Sequence, residues 1–532
     1  MPFIRLPGDG VVVRSTTNDS LSSANVRSWI LAATILASSM AFIDGTVVNV
    51  ALPSLQSSLH ATVVDVQWVV ESYGLLLAAL ILVGGSLGDM WGRRLMFLTG
   101  VVVFALASAG CGFASNISQL VIARSIQGVG AAFLVPGSLS IISASFDEND
   151  RGQAIGTWSG FTSITTAIGP VLGGWLIQHA SWRWAFFINL PIAVAVIVIS
   201  LWNVPESRSA SADRVDWVGA LIVTLGLGGL VYGFVESANL GWGNPRVFGS
   251  LIGGVACLTI FAMVEVREKS PMVPPALFAS RTFSGANLLT LFLYSAIGIF
   301  FFLFPLDLIQ VQGYSATAAG AAMLPLILIL FLLSRWSGGL VARYGPKVPL
   351  IVGPLIAGIG FALFVLSLTG GSYWKEFFPA IIVLGFGMAV TVAPLTTVLM
   401  NSVAQDRIGA ASGINNTVAR VASVLAIAVL GIVMVNAFRS HLNPELAKLS
   451  LPSATLHEIQ DGEINLAGLE LPAGLDTDHR NAVREAVHAS FVHGFRMIMW
   501  ICAGLSVASA MVAWTMISAN TLNLSQKPRP LA

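Results

Sequence analysis

Residues 67–94 read QWVVESYGLLLAALILVGGSLGDMWGRR. The run 67–88 carries one charge, Glu71, and then gives way to Asp89, Arg93 and Arg94. A helix rises ~1.5 Å per residue and the hydrocarbon of a bilayer is ~30 Å thick, so ~20 apolar residues cross it. The stretch therefore reads as a lipid-spanning helix that ends in a charged turn. Comparable runs lie on both sides of it, at 29–52, 95–114, 119–142, 153–178, 185–203, 217–235, 247–265, 288–310, 317–340, 349–368, 378–400, 408–436 and 494–518. Spanning β-strands would be shorter and alternate in polarity. The expected fold class is an all-α polytopic membrane protein of fourteen transmembrane helices.

The composition agrees. The chain has 532 residues, 55% hydrophobic and 10% charged, with a mean hydropathy of +0.81. A soluble domain carries ~25% charge, and a nucleic-acid binder concentrates basic residues; both classes are excluded, as is a disordered chain. Cys111, Cys257 and Cys502 lie inside apolar runs without metal-ligand spacing, so no metal and no cofactor is expected. Segments resembling His-Glu-x-x-His or a phosphate loop are absent from the sequence, which argues against a membrane enzyme.

Basic residues set the orientation. With a cytoplasmic N-terminus, Arg5, Arg14, Arg27, Arg93, Arg94, Arg151, Arg208, Arg214, Arg267, Lys269, Arg281, Arg343, Lys347, Arg407, Lys527 and Arg529 fall on the inner side, and the short outer loops hold only Arg183, Arg246 and Lys375. Both termini are thus expected in the cytoplasm. The first 28 residues lack a short apolar stretch with a cleavage site and read as a tail, not a signal peptide. All seven histidines fall at or beyond the outer rim, which disfavours a histidine proton relay at mid-membrane.

The chain also repeats itself. Gly85, Leu87, Gly92 and Arg94 recur as Gly338, Leu340, Gly345 and Lys347 at an offset of 253, and Asp150-Arg151 recurs as Asp406-Arg407 at an offset of 256. Parallel repeats with a site at their interface are a transporter architecture. The expected organisation is a tail 1–28, a six-helix half 29–203, a linker 204–286 with two inserted helices, a second half 287–518 including an outer loop 437–493, and a tail 519–532. In that loop, 478–493 is amphipathic, and a lid, a docking surface and a plain hairpin compete as readings.

Several segments carry a family resemblance. The segment 85–94 resembles the signature loop between helices 2 and 3 of the major facilitator superfamily. Leu120, Arg124, Gln127, Gly128 and Gly130 resemble its helix-4 motif, and Gly169-Pro170-Val171-Leu172-Gly173-Gly174 resembles the helix-5 motif of its drug:proton antiporters. Asp44-Gly45-Thr46-Val47-Val48-Asn49 resembles the helix-1 motif of the 14-helix branch. Departures are Thr165 where the helix-5 motif starts with glycine, Ala342 where the second signature loop has an acid, and Ala422 and Ser423 where glycines are expected in helix 13.

The resemblance implies a major facilitator fold and a proton-coupled exporter of amphipathic, cationic or neutral small molecules, working by alternating access in the bacterial inner membrane. Proton-coupled uptake of a polar metabolite and a non-transporting sensor are the competing readings. The expected partners are a small-molecule substrate, protons and the lipid bilayer, without nucleic acid; use of a periplasmic adaptor stays open.

Charges inside a bilayer are costly and generally face a cavity or a partner. Asp44, Glu71, Arg124 and Asp307 fall at one depth by residue counting and form the expected proton-coupling set, with Asp44 as the exchangeable site and Arg124 as its partner. The competing reading of this pair is a buried bridge that only fixes helix register. Exchange of one proton for a monovalent cation moves no net charge, so a second acid, Glu71 or Asp307, would restore voltage drive for such substrates. Gly85, Asp89, Gly92, Arg93 and Arg94 form the expected conformational switch, with Asp89 reaching the start of helix 13 and Arg93 pairing with Asp147 or Glu148. Gly169, Pro170, Gly173 and Gly174 give helix 5 a smooth kinked face for packing against the other half. Asn49, Trp68, Tyr73, Tyr294, Phe301 and Arg420 are candidates for the substrate cavity; for Arg420 the competing reading is a paired core residue.

Overall fold

A computed structural model describes residues 24–146, 148–208, 216–268, 271, 273–366, 372–403, 408–449, 451–472 and 474–518. Side chains at 148, 149, 151–153, 159, 163, 166, 167, 335 and 408–410 lie outside that description. Among the described residues all regular structure is helical. Fourteen long helices follow in chain order: α1 Ala24–Leu59, α2 Val63–Trp91, α3 Arg93–Phe113, α4 Ile117–Ser145, α5 Glu148–His179, α6 Trp184–Asn203, α7 Trp217–Leu240, α8 Pro245–Arg267, α9 Arg281–Leu306, α10 Ala316–Ser334, α11 Lys347–Phe364, α12 Phe378–Asn401, α13 Ile408–Ala447 and α14 Thr477–Met516. Among the described residues, 13 helices are long and apolar enough to cross a membrane. The remaining long helix is α5, 32 residues long but rich in Gly, Ser and Thr, and it packs along α1 and α10 within the bundle.

Local chemistry fixes many of the helix ends. Thr62 and Asp65 form a capping box at the start of α2, and Asn116, Ser280 and Asp476 accept backbone N–H groups at the starts of α4, α9 and α14. These residues satisfy donors that a helix leaves free at its first turn. Gly92, at φ 127°, separates α2 from α3 in a conformation that side chains avoid.

The helices pack in two groups. In the first, α4 lies against α2 and α3, and α1 lies against α5 and α6. In the second, α9 packs on α13 and α14, α11 on α12 and α14, and α10 on α12. The two groups use related close approaches. A Cβ on Gly130 would sit 2.5 Å from the backbone of Phe104 and 2.9 Å from the Gly100 carbonyl oxygen, joining α4 to α3. A Cβ on Gly387 would sit 2.3 Å from the backbone of Ala357 and 2.8 Å from the Gly353 carbonyl oxygen, joining α12 to α11. Gly100 and Gly353 stand at the same 253-residue offset as the repeated loops.

The inserted helices α7 and α8 pack on each other, and α7 also lies on α2 and α13, where the two groups meet. In α8 only 11% of the apolar window is buried. Large apolar side chains such as Leu106, Phe113, Trp202, Val266 and Leu332 stand exposed around the bundle. In water that surface would aggregate; in a bilayer it is solvated by lipid.

The end of the bundle that carries Ser453–Asp461 is called the upper end here, and the end that carries Gly92 the lower end. Much of the loop expected at 437–493 is helical: α13 runs on to Ala447 and α14 begins at Thr477. Between them, Ser453–Asp461 and the 3-10 turn Glu463–Gly468 fold back over the upper end. Leu466 and Ile459 are fully buried there, and Gln56 of α1 donates to the Asn465 carbonyl at 3.1 Å.

Candidate functional site

Asp44 and Arg124 meet in the interior, at 0% and 1% exposure. Arg124 donates through Nη1 to the Asp44 carboxylate and to Gln127 Oε1 at 2.7 Å, and through Nε to the Val69 carbonyl at 3.1 Å. Gln127 Nε2 donates to the other Asp44 oxygen at 2.8 Å. The Tyr73 ring lies 4.2 Å from the guanidinium carbon, a cation–π distance. Gln127 also reaches Ser108 at 3.3 Å, and Asn189 donates to Ser108 at 3.0 Å. The cluster thus joins α1, α2, α3, α4 and α6. Arg124 and Gln127 share a face of α4 because three residues make nearly one turn. Ser108 and Asn189 escaped sequence reasoning, since isolated polar residues in α3 and α6 have no local signature.

The other candidates separate. Glu71 is fully buried, and among the described residues neither carboxylate oxygen has a hydrogen-bond partner. It lies on α2 between Gln67, which abuts Gly431, and Gly74, which abuts Val424, so it points toward α13. Asp307 is buried in a π-helical turn at the upper end of α9, with Gln312 beside it. The expectation of a common depth fails for it. Gln310, one turn away, donates to Gln56 at 2.9 Å, and Gln56 stands about 18 Å above Asp44 along α1 at ~1.5 Å per residue. Residue counting misplaced it because α9 starts at Arg281, seven residues earlier than expected.

The glycines of α5 serve two neighbours. A Cβ on Gly169 would meet Thr46 Oγ1 at 2.1 Å, and one on Gly173 would meet Val47 at 2.6 Å. Both contacts are with α1, one turn or less from Asp44. Gly174 faces α10, where a Cβ would lie 2.3 Å from the Ala316 carbonyl oxygen, and Gly320 of α10 approaches the Pro170 carbonyl oxygen as closely. Gln178 accepts a hydrogen bond from Thr317 at 2.7 Å. The α5 segment is therefore wedged between α1 and α10 and touches the second group through Pro170 and Gly174, while Gly169 and Gly173 stay within the first.

At the lower end Arg93 pairs with Asp89 at 2.8 Å. Of its expected partners, Asp147 lies outside the described residues, as do Asp406 and Arg407 near the start of α13, and the side chains of Glu148 and Arg335 lie outside the description too. The loop's main acidic contact is one the sequence did not suggest. Glu206, after α6, accepts from the backbone N–H groups of Arg94 and Leu95, both at 3.0 Å. The carboxylate caps the start of α3, where the helix dipole favours negative charge. A Cβ on Gly92 would lie 2.7 Å from Glu206. Arg94 Nη1 donates to the Val204 carbonyl at 3.0 Å.

The cavity candidates also divide. Trp68 donates through Nε1 to Glu236 at 2.7 Å and lies beside the Tyr232 ring, so it docks the inserted α7. Phe301 packs at the edge of the main core against Phe300. Tyr294, Asn49 and Arg420 keep part of their surface accessible. A Cβ on Gly45, next to Asp44, would find nothing within 4 Å. Among the described residues Arg420 makes no ion pair, and Tyr73 is its titratable neighbour.

A helical bundle of this length, with repeated close approaches and a buried acid–arginine pair on α1 and α4, matches a known family. The model of the Major Facilitator Superfamily matches residues 34–427. The chain belongs to this superfamily. It is therefore a multi-pass membrane transporter, not an enzyme. Among its superfamily relatives, the tetracenomycin C resistance and export protein of Streptomyces glaucescens is 32% identical over 89% of this chain and 88% of its own length. The multidrug resistance protein Stp of Mycobacterium tuberculosis (strain ATCC 25618 / H37Rv) is 32% identical over 91% of each chain. The inward-facing, unoccupied crystal structure of a bacterial homologue of the human lysosomal transporter Spinster superposes with a TM-score of 0.63, at 17% identity over 94% of this chain and 100% of that one; at that identity it supports the fold alone.

Proposed function

We propose that this transporter exports amphipathic small molecules in exchange for protons, by alternating access between its two helix groups. The carrying observation is the Asp44–Arg124–Gln127 cluster, a buried ion pair on two helices that must part for the acid to take up a proton. The names of the relatives, which denote resistance and export, support the direction of transport. The proposed setting is the inner membrane of a bacterium, with the lower end and both termini cytoplasmic, following the basic residues.

The coupling follows from the cluster. While Asp44 is charged, it clasps α1 to α4 through Arg124 and Gln127. Protonation removes the charge that Arg124 answers, leaving the guanidinium on Gln127, the Val69 carbonyl and the Tyr73 ring. The clasp loosens, and α1 can shift. Thr46 and Val47 of α1 press on Gly169 and Gly173, and the opposite edge of that α5 segment bears on α10. A shift of α1 beside Asp44 thus biases the contact that closes the upper end. Such a bias is all that alternating access requires of a ligand. The two group boundaries are taken as 29–203 and 287–518, with 204–286 as the inserted unit. Glu71, buried where α2 meets α13 and without a partner among the described residues, is the proposed second proton site; Asp307 acts separately, at the upper rim.

Inverted membrane vesicles with a trapped pH dye test this reading. Across a panel of amphipathic compounds, wild type should release protons on addition of its substrates, and D44N should not. A flat wild-type response over the whole panel, or equal responses from D44N, would overturn it.

A further inference from the structure

Arg420 lies about a third of the way along α13, and among the described residues its guanidinium makes no ion pair. A charge deep in the bilayer is costly even on lenient scales, and such residues pair or face a water-filled space. Arg124, the comparable arginine in the first group, has Asp44, Gln127, the Val69 carbonyl and the Tyr73 ring around it. Arg420 has Tyr73 as its titratable neighbour, and Asp44 already belongs to Arg124. Glu71 sits elsewhere along the α2–α13 seam: Gly74 meets Val424 and Leu82 meets Gly413, which puts Arg420 level with residues 77–78, about 10 Å below Glu71 at ~1.5 Å per residue.

The surroundings are open. Arg420 shares a helix face with Gly413 and Val424, and Asn416, one turn below it, is exposed. Across from them Tyr73 reaches α1 near the Ala41 carbonyl, at 3.5 Å. One turn along α1 from Ala41 is Gly45, where a side chain would meet nothing within 4 Å. Tyr73 thus stands between the proton site and Arg420, beside free space.

We propose that Arg420 is the counter-charge for an anionic group, a carboxylate or phenolate, on the transported molecule, held in the space bordered by Gly45, Tyr73 and Asn416. This deepens the export reading and rests on it. A guanidinium presents a planar fork that matches a carboxylate with two hydrogen bonds. The electrical consequence differs from that for a cationic substrate. One proton entering as one anion leaves moves two charges in the driven direction. Each charge contributes ~40-fold of gradient at 100 mV, so an anion is driven strongly with Asp44 alone.

The test uses the purified full chain in nanodiscs, titrated at equilibrium with naphthyl and anthracenyl carboxylic acids and their methyl esters. Wild type should bind each acid at least tenfold more tightly than its ester. R420Q should abolish that preference, and R420K, which keeps the charge but not the fork, should shrink it. Wild type binding acids no better than esters, or R420Q and R420K keeping the wild-type preference, would overturn the proposal. So would recovery of the preference in R420Q by adding E71Q, since Arg420 would then serve Glu71. No proton gradient is present, so loss of antiport in vesicles and loss of acid preference here are separate outcomes.

Discussion

At the scale of single residues, the account rests on what Asp44 loses when its partner goes. Removing one member of a buried ion pair strands the other and costs about 3–5 kcal/mol, whereas replacing both with neutral groups is often tolerated. R124Q should therefore lower the thermal unfolding midpoint in detergent, and D44N/R124Q should recover most of it while staying inert to protons. An R124Q protein as stable as wild type would contradict the buried geometry at 0% and 1% exposure. Asp44, Arg124 and Gln127 were legible in the sequence because each sits in a motif. Ser108 and Asn189, which complete the network, were not, because a lone Ser or Asn in an apolar helix looks the same whether or not it bonds across the bundle. Trp68 reads as a candidate cavity wall from its depth, and its bond to Glu236 of α7 has no local signature in the sequence.

At the scale of elements, the α5 glycines separate two effects that the sequence merged. G174L should force α5 from α10, because its side chain would enter the Ala316 carbonyl. A cysteine pair at Gln178 and Thr317, in a Cys257→Ser background, should cross-link in the parent and lose that cross-link in G174L. Retention of the cross-link would mean that the α5–α10 contact does not depend on Gly174. G173L acts on Val47 of α1 instead and should impair proton release while leaving the cross-link in place. At the lower end, E206Q should weaken the α3 cap and slow turnover, and G92A should do so more, since Gly92 holds φ 127° against Glu206; turnover unchanged in both would reject a switching role for this loop. Glu206 was invisible in the sequence because it caps a helix more than a hundred residues away. The helices themselves were legible as spans but not at their ends: α2 begins at Val63 against an expected 67 and α4 at Ile117 against 119, because the caps at Thr62 and Asn116 lie outside the apolar runs. They ran longer than expected at α1, α13 and α14, where polar turns extend a helix beyond the apolar run that marks it.

At the scale of the whole molecule, the proposed cycle has the upper end closed by the α5–α10 contact and by the Glu463–Gly468 turn folded over it. Glu463 is nearly buried, and Arg439 approaches it at 3.3 Å. Burial raises its pKa above the usual carboxylate value, with Arg439 acting against that rise. A group whose docked pKa is raised binds its proton more tightly when docked, so docking is favoured at low pH and weakens as pH rises through that range. Proteolysis of the 463–468 segment should therefore slow on acidification in wild type and lose that pH dependence in E463Q; the same pH response in E463Q would assign it to another group. Below this closure lie the two groups, whose 253-residue repeat was readable in the loops and recurs in the helix packing at Gly100 and Gly353. The most direct test of the central claim separates movement of substrate from movement of protons. In proteoliposomes loaded with a substrate found in the vesicle screen, D44N should still exchange labelled for unlabelled compound across the membrane, and should fail to concentrate it when a pH gradient is imposed. If D44N concentrates the compound as wild type does, Asp44 is not the site through which protons drive this transporter.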